Sequence, residues 1–283
     1  MNSRTKFIIK RISLYFLIAM VLFFTLAPFL WIIISSISSN AELLSVPVHF
    51  IPKSPTFERY IRIFTSNDSQ AVVFKKGVLN SIIVSSGVTI LCLIIGTLAG
   101  YAFARLKFPV KNFSQQFFLF TNMLPPIVII ISLFFIFSKL KLVDSVFGLI
   151  LIYSSFIAPF IIWMMRAYFV TIPKDLEEAA MIDGCNRIGA LFRIMLPLSV
   201  PGLVANGILS FLMAWEEFLF ALILTTRNAK TITVAIAEFT EKQYVDYGMM
   251  ATGGVLGAIP PIIVTLIFGK YIISGLTSGA IKE

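Results

Sequence analysis

The chain has 283 residues, of which 58% are hydrophobic and only 13% are charged, and its mean hydropathy is +0.93. This composition excludes the soluble globular classes and predicts a membrane protein with roughly five to seven spanning helices. The net charge of +9 comes from basic residues scattered between apolar runs, which is typical of cytoplasmic flanks rather than of nucleic-acid binding. Two cysteines and one histidine predict neither a disulfide framework nor a metal site.

Basic residues precede the first apolar run. Arg4, Lys6, Lys10 and Arg11 stand before a stretch at 12–36 that is too long for the hydrophobic part of a cleaved signal peptide. Because basic flanks resist translocation, we expect a retained first helix that begins in the cytoplasm.

Six apolar runs are long enough to cross a membrane as helices. They cover residues 12–36, 79–103, 113–137, 147–169, 201–225 and 248–273. An even number of spans puts both termini on one side, and basic residues in the connections after the second and fourth runs mark that side as cytoplasmic. We therefore expect a single transmembrane domain over residues 1–283, with an extracytoplasmic loop at 37–78 and a cytoplasmic loop at 171–197.

Prolines interrupt four of the six runs. They are Pro28, Pro125 with Pro126, Pro159, and Pro260 with Pro261. Each proline removes a backbone donor, and lipid cannot satisfy the carbonyl that is freed, so protein or a wet cavity must do so. An ordinary helix kink explains any single proline equally well, whereas four interrupted spans together favour a translocation pathway.

The cytoplasmic connection after the fourth run contains signals for two short helices. Thr171 can cap the first helix, and acidic residues from Asp175 to Glu178 suit its positive end. Gly184 can take the left-handed conformation that closes this helix, and Asn186 can begin a second helix that runs to Leu196. The sequence therefore predicts a helix, a sharp turn and a second helix.

The first of these short helices carries small residues on its surface. Leu176, Ala179, Ala180 and Asp183 recur at three- and four-residue spacing, and small side chains permit close approach by another protein's groove. The alternative is a helix that lies on the inner leaflet of the membrane. The acidic side chains of this helix disfavour that alternative because the leaflet is anionic.

The loop resembles the EAA motif of ABC-importer permeases at its full spacing. Glu178, Ala179 and Ala180 are followed by Gly184 and then by the Ile-x-Leu-Pro ending at 194–197. Further segments resemble the carbohydrate-uptake branch, in particular the second permease subunit of maltose-type importers. These segments lie at 28–36, 50–64, 80–85, 101–108, 123–126, 172–180, 214–225 and 275–282.

The resemblance implies an all-α membrane protein with six transmembrane helices and a cytoplasmic helix-turn-helix coupling loop, the type I ABC importer permease fold. In that family the loop sits in a cleft of a cytoplasmic ATPase. The residues implied in coupling to the ATPase are Glu178, Ala179, Ala180, Met181, Asp183 and Gly184. The residues implied in anchoring the loop are Ile194, Leu196 and Pro197.

The chain is expected to bind no nucleotide of its own. The glycine-rich segment at 253–260 lacks the Gly-Lys-Ser/Thr ending of a phosphate-binding loop and lies in an apolar run. We expect no catalytic residues and no cofactor in this chain, with ATP and Mg²⁺ bound by a separate ATPase dimer. The resemblance implies two further partners in a bacterial cell membrane, a second non-identical permease and an extracytoplasmic solute-binding protein.

Polar residues in apolar runs are candidates for the substrate pathway. Trp215, Glu216, Glu217 and Asn122 could contact a sugar by aromatic stacking and hydrogen bonding. The family pattern has Asn where this chain has Glu216, so a sugar contact does not transfer directly. A satisfied buried carboxylate or a hydrogen bond between helices is the alternative for each position, including Asn206.

Two other functional classes fit part of the pattern. A stand-alone secondary transporter or channel would also have six spans, helix breakers and acids near the membrane. A membrane-embedded enzyme would need a nucleophile dyad or metal-ligand spacing, which the sequence lacks. The loop motif favours an importer permease for a carbohydrate, with an oligosaccharide ahead of a monosaccharide and glycerol-phosphate-type solutes left open.

Overall fold

The computed structural model describes residues 3–47, 49–240 and 245–277. The regular structure of these residues is helical, apart from an isolated antiparallel bridge between Thr240 and Val245. In chain order the helices are α1 (Ser3–Ile37), α2 (Asn40–Leu43), α3 (Glu58–Thr65), α4 (Ser69–Arg105), α5 (Lys111–Met123), α6 (Pro126–Lys139), α7 (Val146–Thr171), α8 (Lys174–Ile182), α9 (Arg187–Ala190), α10 (Leu196–Leu198), α11 (Val200–Trp215), α12 (Leu219–Leu224), α13 (Ile232–Ala237) and α14 (Tyr247–Thr277).

Four of these helices are long and apolar enough to cross a membrane without interruption, namely α1, α4, α7 and α14. Two bent pairs of helices raise the number to six if each pair counts as one span. The prolines predicted to break the first, fourth and sixth spans lie inside continuous helices. Their freed carbonyls therefore perturb these helices without ending them.

The third predicted span is not one helix, because α5 and α6 meet at an angle of 96°. Leu124 and Pro125 each precede a proline, and both have extended backbone with ψ of 119° and 127°. The proline ring disfavours the helical region for the residue before it, which agrees with the extended backbone at Leu124 and Pro125. The interruption predicted at this proline pair is present, whereas the pair Pro260 and Pro261 lies inside the continuous helix α14.

The fifth predicted span is also interrupted. Helix α11 ends at Trp215, and α12 begins only at Leu219, so the run at 201–225 contains a break at 216–218. A second bend of 78° separates α11 from the helical segment Arg187–Leu198 that precedes it. The short segment between α11 and α12 contains two of the predicted pathway residues.

The chain divides into two compact units. The first contains the described residues of Met1–Val72 and Ile236–Ala258. In it, the guanidinium of Arg59 donates to the carbonyl oxygen of Ser38 and to Oδ1 of Asn40, both at 2.6 Å. These bonds tie α3 to the end of α1.

The second unit contains Val73–Ala235 and the described part of Ile259–Glu283. Its apolar core lies around α7, which packs against α4, α5, α11 and α12. Two glycines one helical turn apart let α4 approach α7 closely, because a Cβ at Gly96 would meet Ile161 and a Cβ at Gly100 would meet Met165. This close packing brings the carboxyl ends of α4 and α7 together beside the 171–197 loop.

Candidate functional site

The 171–197 loop folds as the predicted helix, sharp turn and helix. Helix α8 is followed by Gly184, whose φ of +89° is the left-handed conformation that glycine adopts without strain. The backbone N–H of Cys185 donates to the carbonyl of Ala180 at 3.0 Å and closes the turn. Asn186 then caps α9, since its side chain accepts the N–H of Gly189 at 2.7 Å.

The beginning of the loop differs from the prediction. Helix α7 continues through Thr171, and the hydroxyl of Thr171 donates back to the carbonyl of Tyr168 at 2.7 Å. The expected cap by Thr171 was therefore wrong, because its hydroxyl is used within the preceding helix. Pro173 stands immediately before α8, where its missing N–H costs nothing.

The second helix of the loop is also less regular than predicted. After α9 the backbone widens into a π-helical turn at Leu191–Met195, and α10 continues through Pro197. The helical segment Arg187–Leu198 thus continues through Pro197 without ending before it. The predicted helix end before Pro197 was wrong on this ground.

The outward face of the loop is partly the predicted one. Glu178, Ala179, Asp183 and Gly184 are exposed and Met181 is half-buried. Ala180 was expected on the same face, but it is buried against the rest of the loop and its carbonyl accepts from Cys185. Ala179 and Ala180 point about 100° apart around the helix, and the side of α8 that is turned inward contains Ala180 and leaves Ala179 exposed.

Two large apolar side chains on this face were missed from the sequence. Ile182 is 86% exposed and Ile188 is 67% exposed, on either side of the Gly184 turn, and Leu176, which was expected on this face, is also exposed. The sequence signal that could have revealed this apolar surface was the presence of isoleucines near a turn glycine in an otherwise polar loop. Exposed apolar residues that cluster at one tip indicate a surface that another molecule covers.

The residues that fix the second half of the loop differ in part from the predicted anchors. Ile194 and Leu196 are half-buried, and Leu196 packs against the apolar core. Pro197 is exposed, so the packing assigned to it is made instead by Leu191 and Met195, which are both buried. The π-helical turn rotates these two side chains inward.

A buried ion pair fixes the first half of the loop. The Nε atom of Arg105, the last residue of α4, lies 3.1 Å from Oε2 of Glu177, and both side chains are about 5% exposed or less. Arg105 also donates to the carbonyl of Ile172 at 2.6 Å, and the hydroxyl of Tyr101 donates to Oε1 of Glu177 at 2.5 Å. Glu177 was expected among the helix-start acids and, with Glu178 and Asp183, on the outward face of α8, and its burial against Arg105 corrects that expectation.

The candidate pathway residues at the break between α11 and α12 have unequal roles. Trp215 is buried and stacks on Phe211, with ring centroids 5.7 Å apart. The carboxylate of Glu217 accepts the N–H of Phe220 at 2.8 Å and of Ala221 at 3.2 Å, so it caps α12. Glu216 is exposed at the end of α11.

The two asparagine candidates are found in different settings. Asn122 is exposed on α5, and its amide donates to the carbonyl of Phe118 one turn earlier at 3.2 Å. Asn206 is buried on α11, where its amide donates to the carbonyl of Gly202 at 2.8 Å and contacts the sulfur of Met165. The contact with Met165 joins α11 to α7, which is the structural use foreseen for such residues.

An aromatic-lined cavity occurs in the first unit, where sequence reasoning placed no site. Its volume is about 560 Å³, and its lining includes Trp31, Ser35 and Tyr247. Trp31 also contacts Phe50, with ring centroids 5.5 Å apart. Aromatic faces beside a hydroxyl are a combination that suits a sugar ring.

A second connection of the chain, the 225–231 turn, is held by the carboxylate of Asp144. Its oxygens accept the backbone N–H groups of residues 226–229 at 2.8–3.1 Å. Burial would raise the pKa of Asp144, but these four donors dominate and lower it to about 2. On the other side of the turn, the amide of Asn80 donates to the carbonyls of Asn228 and Lys230.

Comparisons with known proteins bear on this arrangement. A model of the family described as binding-protein-dependent transport system inner membrane component matches residues 92–278. The trehalose/maltose transport system permease protein of Thermococcus litoralis is 36% identical over 277 residues, with 97% of this chain and 98% of the relative covered. The trehalose transport system permease protein of Mycobacterium tuberculosis is 38% identical over 262 residues, with 92% and 93% covered.

The fold is similar to that of a chain in a bacterial ABC transporter involved in the import of the acidic polysaccharide alginate. The TM-score is 0.78 at 24% identity, and the match covers 96% of this chain and 99% of that chain. At this identity the likeness establishes the fold alone. The fold class expected from the sequence, an all-α importer permease, is confirmed.

Proposed function

This chain belongs to the family of binding-protein-dependent transport system inner membrane components, and on that premise we propose that it carries a carbohydrate across the membrane. It is a multi-pass membrane protein and a permease subunit of an ABC importer. The carbohydrate reading is supported by relatives that are named for trehalose and maltose and that align over nearly their whole length.

The observation that carries the proposal is the outward face of the 171–197 loop. It combines exposed apolar side chains at Ile182 and Ile188 with the carboxylates of Glu178 and Asp183. A short helix with this pattern suits a protein groove that is apolar at its centre and basic at its rim. Anionic lipid would repel the same carboxylates.

We assign this face to a cytoplasmic ATPase dimer that binds ATP and Mg²⁺, with no nucleotide site in this chain. The contact would be made by Glu178, Ala179, Met181, Asp183 and Gly184. Ala180 supports the contact from within the loop, because it is buried. Charge-assisted bonds from the carboxylates would add to the apolar contact.

The positive-inside rule supports a cytoplasmic position for the loop and for both termini in a bacterial cell membrane. The side opposite would meet the extracytoplasmic binding protein after which the family is named. A second, non-identical permease completes the pathway in this proposal. Exposed apolar side chains along α1, such as Phe16 and Phe23, would face lipid or that second permease.

The substrate pathway is proposed from exposed polar and aromatic groups. Glu216 and Asn122 remain candidates because they are exposed, whereas Trp215 and Glu217 are committed to packing and to capping α12. The cavity beside Trp31 and Tyr247 is a further candidate within the first unit. Aromatic stacking and carboxylate hydrogen bonds are the interactions by which sugars are held.

The test is purification of the tagged chain from its native host in mild detergent, with mass determination of every protein that accompanies it. We expect one pair of ATPase subunits and one different permease, and the binding protein can then be screened on a glycan array. Recovery of this chain alone in several detergents would contradict the proposal and favour a stand-alone secondary transporter or channel.

A pair of matched variants sharpens this experiment. Ile182→Glu places a charge at the tip of the loop, and Ile51→Glu places the same charge at an isoleucine of equal exposure in the 37–78 segment, since the two side chains are 86% and 82% exposed. We expect Ile182→Glu to lose the ATPase and to keep the second permease, and Ile51→Glu to keep both. Loss of the ATPase from both variants would contradict the assignment of the loop.

A further inference from the structure

The 171–197 loop and the carboxyl end of α4 are joined by groups that are withdrawn from solvent. Arg105 contacts Glu177 of α8 and the carbonyl of Ile172 at the end of α7. Tyr101, one turn earlier on α4, contacts Glu177 and lies 3.4 Å from the backbone oxygen of Arg187 in α9. Three side chains therefore connect α4, α7 and both halves of the loop.

Adjacent carboxylates of α8, about 100° apart around the helix, lie in different surroundings. Glu177 is buried and faces Arg105, whereas Glu178 is exposed on the face assigned to the ATPase. Contacts with α4 therefore hold the inner side of α8, while its outer side stays exposed for the ATPase. A push on the outer side reaches α4 through the Glu177 carboxylate.

The buried position of the pair makes the connection stiff. Separating two opposite charges that are both out of water leaves each of them without compensation, which is far more unfavourable than separating an exposed pair. The hydroxyl of Tyr101 also donates to Glu177, and the carbonyl of Ile172 also accepts from Arg105. The low-energy motion is one in which α8 and the end of α4 move together.

We propose that Arg105, Glu177 and Tyr101 are positioning residues that make the 171–197 loop and the carboxyl end of α4 one rigid body during the transport cycle. ATPase movement received by the loop is thereby passed to the second membrane-spanning helix. The inference deepens the proposed function and rests on it. None of the three residues contacts the ATPase or the substrate in this scheme.

The test is a distance between two spin labels in the purified complex of the chain with its ATPase and second permease. One label replaces Lys174 at the start of α8, which is exposed and is not among the residues assigned to the ATPase contact, and the other replaces Ile90 on α4, which is 60% exposed. Cys92 and Cys185 are changed to alanine so that only the introduced cysteines react. Electron paramagnetic resonance then gives the distance without nucleotide and with a non-hydrolysable ATP analogue.

We expect a narrow distance distribution that the nucleotide analogue leaves unchanged in the otherwise native chain. In Glu177→Gln, which keeps the shape of the side chain and removes its charge, the analogue should shift or broaden the distribution. Arg62→Gln removes the exposed pair of Arg62 with Asp68 and serves as the matched control, whose distribution should stay native. A nucleotide-dependent distance in the native chain, or a native distribution in Glu177→Gln, would overturn the proposal.

A milder variant covers the case in which Glu177→Gln does not fold. Tyr101→Phe removes a single hydroxyl contact with Glu177, and we expect a smaller broadening on addition of the analogue, while the native distribution in this variant would overturn the proposal. Failure of the proposed function is recognised separately and earlier. It would show as absence of any ATPase in the complex purified from unlabelled chain, before a variant is made.

Discussion

The 171–197 loop and the 225–231 turn are both held by a buried or half-buried carboxylate, but by opposite means. Glu177 is neutralised by one guanidinium, that of Arg105. Asp144 is instead surrounded by backbone N–H groups of the turn, with no cation among its hydrogen-bond donors in the part of the chain that is described. A single ion pair ties one helix to another, whereas distributed backbone donors fix the shape of one short segment.

The outer surfaces of the two connections differ as well. At the 171–197 loop Ile182 and Ile188 project into solvent, whereas at the 225–231 turn Ala229 and the adjoining Ile232 are both about 1% exposed. Burial of Ile182 by another protein would be favourable by about 1.5–3 kcal/mol, and the turn has no comparable gain left to make. The turn is therefore packed within the chain, whereas the loop leaves large apolar side chains exposed, which agrees with the partner surface proposed for it.

The largest effect should come from a charge placed on the outward face of the 171–197 loop. Ile182→Glu should weaken association with the ATPase about 30-fold, equivalent to ~2 kcal/mol, because it puts a charge at the centre of an apolar contact. Thermal unfolding of the isolated chain should not change, since the side chain is 86% exposed. Titration of labelled chain with purified ATPase measures the affinity, and an affinity equal to that of Ile51→Glu would remove the distinction between the two regions.

The next effect comes from removing the anchor of the turn. Asp144→Ala leaves the backbone N–H groups of residues 226–229 without their acceptor and should lower the free energy of unfolding by about 1.5 kcal/mol. Asp144→Asn should lower the free energy of unfolding by less, because its amide oxygen can still accept hydrogen bonds from these N–H groups. Thermal unfolding in detergent measures both variants. Affinity for the ATPase should stay native, and its loss would show that the two connections are not independent.

A variant at Gly184 tests whether the geometry of the loop matters beyond its contacts. No atom lies within 4 Å of a Cβ built at this position, so Gly184→Val adds only the strain of a positive φ, about 1–2 kcal/mol. We expect ATP hydrolysis to continue while solute uptake per ATP falls, because the angle of α8 changes. In Gly184→Asn, solute uptake per ATP should fall less, because asparagine adopts a positive φ with less strain than valine. Full uptake per ATP in the valine variant would contradict the expectation.

The smallest effect is the pH dependence of the stability that Asp144 gives to the 225–231 turn. The pKa of Asp144 is lowered to about 2 in the folded chain, against about 3.9 for an unfolded aspartate. Its stabilising contribution is therefore complete above about pH 4 and is lost as the pH falls through 2. The difference in unfolding temperature between the native chain and Asp144→Asn should be constant from pH 7 to 5 and should shrink below pH 4. A difference that shrinks near neutral pH would contradict the assignment of the donors.

The local chemistry of the loop explains which parts of it could be predicted. Gly184 and Asn186 act on their own neighbours, so the turn and the start of α9 follow from residues that are adjacent in sequence. Thr171 has two local partners, the next helix and the previous one, and the sequence alone does not decide between them. The structure resolves this choice in favour of the carbonyl of Tyr168.

The broken third and fifth spans show the same limit in the membrane part. Apolar content predicts a span but does not report whether its backbone continues as one helix. The proline pair at 125–126 was expected to interrupt its span and does so, whereas the pair at 260–261 lies inside the continuous helix α14, so the local proline rule does not separate the two cases. At 216–218 no proline is present, and the end of α11 coincides with the use of Glu217 as a cap for α12.

Hydropathy, charge and turn chemistry act over short stretches of chain, so the residues alone predict the class of this protein, its apolar spans and the helix-turn-helix of its loop. That Glu177 is buried and Glu178 exposed, and that Ala180 is buried while Ile182 is exposed, follows from contacts between helices that are distant in sequence. The reason is that the partner of Glu177 lies on a different helix, with Tyr101 located 76 residues earlier. The carboxylate of Glu177 is buried where the guanidinium of Arg105 compensates its charge, and the packing of α4 on α7 brings the two groups together.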